Sequence, residues 1–209
     1  FMEKLIFVQG PPGAGKSTLS RDAITAIGAE YELTVRRPLR FLPVGAHVRS
    51  ILRGDAPSRF SALVEAEGEA IGALRLCTPF TVHQIVQEHL STHETPGTTI
   101  VDGYPRDMEL IQMLQYSELA QEIQVLGNVE VQVDDELSIN RQLDRRSVDG
   151  HPVCDLSTAR RRTAEYRNNT HHVVEAVREI WGGELVDGAR PILQAGLSFT
   201  NILRTILRV

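Results

Sequence analysis

Gly10-Pro-Pro-Gly13-Ala-Gly15-Lys16-Ser17-Thr18 is the stretch on which the fold turns. Its spacing is G-x-x-x-x-G-K-[ST]. It lies between an apolar run, Lys4-Leu-Ile-Phe-Val-Gln9, and a segment with helical periodicity that opens at Lys16. A short apolar run closed by glycines reads as a buried strand, and the segment after it reads as a helix to about residue 27. Strand, glycine-rich loop and helix together form the setting in which this spacing cradles phosphate. Glycines let the backbone turn through positive φ. The wrapped N–H groups and the helix N-terminus then face an anion. Lys16 adds a point charge at the β- and γ-phosphates, and Ser17 offers a hydroxyl to Mg²⁺. Gly10, Pro11, Pro12, Gly13, Ala14, Gly15, Lys16, Ser17 and Thr18 are therefore candidate ATP-phosphate ligands. The alternative is a glycine turn without a ligand, and the coincidence of spacing and context argues against it.

Lys16 gains weight from composition. The 209 residues include twenty Arg and only two Lys, Lys4 and Lys16, with a net charge of −5. A slim ammonium stands in the loop of a chain that otherwise uses the planar guanidinium, and the two are not equivalent. A guanine reader of the Asn-Lys-x-Asp type is excluded, because neither Lys lies in one. The net acidity argues against a non-specific nucleic-acid binder. Two cysteines, Cys77 and Cys154, are too few for a disulfide scaffold or a four-Cys zinc site. No apolar stretch is long enough to span a membrane. These features predict a cytoplasmic protein with small-molecule partners, monomeric, with no nucleic-acid or membrane partner.

Outward from the loop, further strands are predicted at 41–44, 98–102, 128–133 and 185–186, with 31–35 as a weaker strand candidate. Helices are predicted near 46–53, 58–76, 79–93, 107–123, 135–146, 157–181 and 195–208. The alternation implies a parallel sheet covered on both faces, in one domain over residues 1–209. Several helices between two strands, at about 46–93, mark a helical insertion.

Asp102 ends a strand in Ile100-Val101-Asp102-Gly103-Tyr104-Pro105-Arg106. Beside a phosphate loop it is a candidate Mg²⁺ ligand with Ser17, directly or through water. Arg141 and Arg145 stand four apart on one helix face. Arg160, Arg161 and Arg162 form a second cluster, with Tyr166 and Arg167 beyond. Like charges on one face repel unless an anion or an acid neutralises them. Glu136, Asp144, Asp149 and Asp155 are candidate neutralisers, but the set as a whole points to phosphate.

In this order of blocks the sequence resembles the adenylate kinase family of nucleoside monophosphate kinases. The resemblance rests on the loop at 10–18, Asp102-Gly-Tyr-Pro-Arg106, Val133–Arg146 with its Asp-Glu-Leu and spaced arginines, and Arg162-Thr-Ala-Glu-Tyr166 followed by Thr170. Weaker blocks are Gly45-Ala-His-Val-Arg49 and Asp187-Gly-Ala-Arg-Pro191. It implies an α/β, P-loop three-layer α/β/α fold with a five-stranded parallel sheet, a helical NMP-binding insertion and a short lid. The core would comprise 1–45, 97–146 and 157–209, the insertion about 46–93 and the lid about 147–156. It implies transfer from ATP–Mg to a nucleoside monophosphate, ATP + AMP = 2 ADP in the family's own reaction. By position, Arg49, Gly103, Tyr104, Arg106 and Arg162 would hold the acceptor. Arg141 and Arg145 would serve ATP, with Arg190 and Pro191 bordering adenine. Lys16, Arg106, Arg141, Arg145 and Arg162 would be the catalytic set. A lid with one Cys implies no zinc.

The chain departs from the family pattern in three places. Val44-Gly45-Ala46 replaces Thr-Gly-Asp. Leu110 stands where the family carries the Gln that reads adenine. The lid reads Gly150-His-Pro-Val-Cys-Asp155, so one lid Arg is missing from its place, and Arg160 or Arg161 is a candidate replacement. A kinase for another NMP or small acceptor, and a nucleotide-binding protein impaired in catalysis, are the alternatives. His89 and His93, an i, i+4 pair, read as solvated rather than metal-bound.

Overall fold

A computed structural model describes residues 2–117, 119–144 and 154–209. Five parallel strands are β1 (Glu3–Gln9), β2 (Leu39–Pro43), β3 (Thr98–Asp102), β4 (Ile123–Gln132) and β5 (Gly183–Asp187). They run in the order β2-β3-β1-β4-β5. This is the five-stranded, α/β arrangement expected, with the strand order reversing beside β1. In such sheets ligands bind beyond the carboxyl ends of the strands at the reversal. The register sets those ends level: Val8 stands opposite Asp102 on one side and Val129 on the other, and Pro43 opposite Asp102.

Helices cover both faces. On one lie α1 (Lys16–Val35) and α11 (Ile192–Leu207), on either side of a core with Ile6, Val8, Ile27, Ile100, Val129 and Phe199. The other core joins Leu5, Phe7 and Val101 to α2 (Val44–Leu52), α5 (Pro79–Ser91), α6 (Met108–Tyr116) and α10 (His171–Trp181). Two short helices, α3 (Ser61–Ala66) and α4 (Gly68–Gly72), lie between α2 and α5. The chain is completed by α7 (Leu119–Glu122), α8 (Asp135–Leu143) and α9 (Leu156–Glu165). No helix among the described residues is long and apolar enough to cross a membrane.

Several elements differ from expectation for identifiable reasons. Residues 31–35 are helical, because Leu19, Ala23, Ile27 and Tyr31 continue one buried face and the Tyr31 hydroxyl meets Thr98 Oγ1 at 2.7 Å. The span 58–76 divides at Glu67 and ends at Leu74, whose φ is +56°. The Glu67 carboxylate is used there to accept from Thr78 N, Thr78 Oγ1 and Thr81 Oγ1. β4 starts five residues before 128, at Ile123, and a register shift between Leu5 and Ile6 accommodates it. The span 157–181 holds one π-helical turn, Tyr166–Thr170, between α9 and α10.

Candidate functional site

A cleft of about 270 Å³ opens at the level ends of β1, β2 and β3. Gly10, Pro12 and Gly13 of the loop line its floor, while Pro11, Ala14, Gly15 and Thr18 do not line it. Gly10 is required where it stands: its φ is +140°, and a Cβ there would lie 2.2 Å from the Val131 carbonyl oxygen. Lys16 and Ser17 open α1 and line the cleft. Lys16 Nζ donates to the Gly10 and Pro11 carbonyls at 3.0 and 2.8 Å, which folds the ammonium back over the loop. The Ser17 hydroxyl donates to Asp102 Oδ2, so the two candidate Mg²⁺ ligands are in direct contact. Hydroxyl and carboxylate oxygens suit a hard ion that takes few protein ligands and completes its shell with phosphate and water.

The opposite wall carries arginines from three separate elements. Arg49 comes from α2, Arg106 from the turn after β3, and Arg162 from α9, and all three line the cleft. Arg106 is fixed by donating from Nε to the Gly103 carbonyl at 2.7 Å. A Cβ on Gly103, at φ +78°, would lie 2.5 Å from its Nη2, so glycine makes the room. Burial lowers the Arg106 pKa, and Asp102 and Glu165 act against that. Arg162 is held by a polar chain that sequence reasoning missed. Its Nη1 donates to Gln142 Oε1 at 3.1 Å, Gln142 Nε2 donates to Thr163 Oγ1 at 3.1 Å, and Ser138 Oγ donates to the Pro12 carbonyl at 2.7 Å. Ser138, Gln142 and Thr163 are buried, so α8 and α9 are tied to the loop through side chains and not by helix pattern. Tyr104 is buried below the cleft, its hydroxyl 3.3 Å from His83 Nδ1, and burial raises its pKa.

Other candidates lie elsewhere. Arg141, half-buried on α8, does not line this cleft. Arg190 is exposed beyond β5, with its Nε 3.3 Å from Asp187 Oδ2, and Pro191 precedes α11. They belong to the β4–β5 side of the loop. A second hollow of about 360 Å³ lies on that side, lined by Pro11, Val133, Asp134, Asp187 and Ala189 among others. Arg145 and residues 147–153 of the expected lid fall outside the described residues. Arg161 does not point to the phosphate floor: Nη2 donates to the Ala73 carbonyl at 2.5 Å, and Nη1 is 3.9 Å from Glu165. The acid that meets Arg167 is Asp135, at 2.7 Å, and not one of the four proposed.

His89 and His93 also correct the expectation of a solvated pair. The His89 ring packs edge-on against His47 of α2 at 5.4 Å and against His93 at 5.0 Å. Burial, then His47, His93 and Arg40, push the His89 pKa down to about 4. Cys77 lines the cleft, and burial with Glu67 pushes its thiol up to about 11. That thiol is protonated at neutral pH.

No family profile matches the chain. Individual relatives do. The chain is 28% identical over 208 residues to an adenylate kinase of Prochlorococcus marinus, covering 98% of each protein. It is 27% identical over 183 residues to one of Maricaulis maris, covering 88% of this chain and 89% of that one. It is also 27% identical over 177 residues to one of Thermus thermophilus, covering 82% and 81%.

Proposed function

We propose that this chain, which is adenylate kinase-like at distant identity, catalyses phosphoryl transfer from ATP to a nucleoside monophosphate, with ATP + AMP = 2 ADP as the first reaction to test. The observation that carries the reading is the disposition of charge in one cleft. Lys16 and the Ser17–Asp102 pair lie on its floor, and Arg49, Arg106 and Arg162 face it from three elements.

In this reading the loop amides and Lys16 hold the donor's β- and γ-phosphates, and Arg49 and Arg106 hold the acceptor phosphate. Ser17 and Asp102 would hold the Mg²⁺ that accompanies the donor, and the ion would neutralise phosphate charge there. An acceptor phosphate oxygen forms the new O–P bond in line as the bond to the β–γ bridging oxygen breaks. Arg162 faces the transferring group, where charge spreads over its oxygens. No side chain needs to become covalently attached; positioning and electrostatic stabilisation supply the rate. The helices over 46–93 act as the acceptor-binding insertion, and the segment 147–156 acts as the lid. In this reading Arg190 and Pro191 border the donor base, and Arg141 and Arg145 serve ATP. The setting is that of a cytoplasmic monomer working on diffusible nucleotides.

The test is a coupled assay of ADP formation with ATP–Mg and AMP. AMP-dependent ADP formation supports the reading. ATP binding without transfer to any monophosphate refutes it and leaves a nucleotide-binding protein.

A further inference from the structure

Beyond the arginines the cleft changes character. Its far wall is built by four elements, and the side chains they turn inward are apolar: Val48 of α2, Ile71 of α4, Leu76 before α5, Val82 of α5 and Leu110 of α6. Val48, Ile71 and Leu110 are at most 5% exposed and belong to the hydrophobic core itself. Those three are therefore fixed by packing, whereas Val82 is half-buried and Leu76 is exposed.

The polar groups on this wall are few and mostly committed. The Asp107 carboxylate caps α6 by accepting from Glu109 N at 2.8 Å. Arg75 is exposed at the mouth. Cys77 keeps its proton, and a thiol is a weak donor. Thr78 and Thr81, next in sequence, are turned to Glu67. None of the side chains of this wall is an amide, the group that can pair with both a donor and an acceptor on a base edge; the amide that does line the cleft, Gln9 at the end of β1, is tied by Nε2 to the Pro105 carbonyl at 2.7 Å.

We propose that the acceptor base is accommodated in an apolar slot by shape and is not read by side-chain hydrogen bonds, so that the protein phosphorylates purine and pyrimidine nucleoside monophosphates alike, with Leu110 as the residue that sets this breadth. The proposal rests on the phosphotransferase reading above. Selectivity then comes from the phosphate end, where Arg49 and Arg106 grip a group that every monophosphate shares. A site that hydrogen-bonds its substrate rejects a mismatched one by a factor of about 10⁴ or more, whereas an apolar pocket discriminates by about 10² at most.

The experiment measures kcat/KM of the full chain with ATP–Mg and each of AMP, GMP, CMP, UMP and dTMP. The expected spread across the five is about 100-fold or less. One base preferred by about 10⁴ over all others overturns the proposal while leaving the phosphotransferase reading intact; the reader would then be backbone groups of the loop before α5. Transfer to none of the five overturns the phosphotransferase reading and this proposal with it. A second arm uses Leu110→Gln, which places an amide on the wall. It is expected to widen the spread about tenfold or more in favour of one base, with ATP affinity by calorimetry unchanged. A folded Leu110→Gln protein with the wild-type acceptor profile overturns the assignment of Leu110.

Discussion

Acid should loosen this protein before its carboxylates titrate, and His89 is the reason. The ring stands between His47 and His93, with Arg40 also near, and its pKa is depressed from 6.5 to about 4. His47 and His93 are shifted down as well, each chiefly by burial, with Glu88 opposing at His47 and Glu3 at His93. Folding thus holds these imidazoles neutral, and the unfolded chain binds their protons more readily. Their contribution is intact above about pH 6.5 and is lost as the pH falls towards 4. The full His89 shift corresponds to a ceiling of roughly 3 kcal/mol. Roughly 2 kcal/mol of it would develop between about pH 7 and pH 5, and partial exposure of the ring reduces this to about 1 kcal/mol. For a chain of this size that is about 2–4 °C in Tm. The assay is thermal unfolding by circular dichroism at both pH values, for wild type and His89→Phe, which keeps a ring in the stack and removes the titration. The variant should lose about 2–4 °C less than wild type between the two. Glu67 and Asp155, both shifted down, act below this window. Equal losses in the two proteins would refute the reasoning, because the neutral ring would then contribute nothing.

Lys16→Met should lower kcat/KM for transfer by about 10³ or more with an unchanged far-ultraviolet spectrum, and Lys16→Arg should not restore activity; near-wild-type turnover in either would remove Lys16 from the phosphate site. Gly10→Ala should destabilise the chain by about 3 kcal/mol or more in urea unfolding, since its Cβ would lie 2.2 Å from the Val131 oxygen; a loss under about 0.5 kcal/mol would mean that the loop moves off β4 freely. Arg161→Gln removes the bond to Ala73 and should raise the acceptor KM several-fold with kcat changed by less than about twofold, the pattern of lost uniform binding. A fall in kcat with KM unchanged would place Arg161 at the transferring group instead.

The phosphate floor was legible because its signals are local. Gly10 through Ser17 are contiguous, and Asp102 reaches Ser17 because parallel strands of matched register end level. What escaped depends on side chains distant in sequence. Gln142 meets Arg162 across 20 residues, and His47 meets His89 across the join of two helices. A buried polar residue has no period to read; its partner is known only once the chain is folded. The 31–35 segment failed for a different reason. Its β-branched and aromatic residues favour a strand locally, and the buried face continuing from Leu19 to Tyr31 overrides that preference.

The arginines show the same distinction in its sharpest form. Twenty of them in one sequence look alike, and spacing on a helix face suggested which would need an anion. The fold sorts them by what stands opposite. Arg40 meets Glu3, Arg167 meets Asp135, Arg178 meets Glu130 and Arg204 meets Glu30. These are ordinary ion pairs, and several are solvent-exposed enough to contribute little. Arg161 and Arg162 are adjacent in sequence, yet one is directed to the Ala73 carbonyl and the other lines the cleft, held by Gln142. Adjacent helical positions point about 100° apart, so a run of three arginines cannot present one face to one ligand. Charge in a sequence fixes how many cations are available; the helix phase and the elements packed opposite decide which of them a phosphate meets.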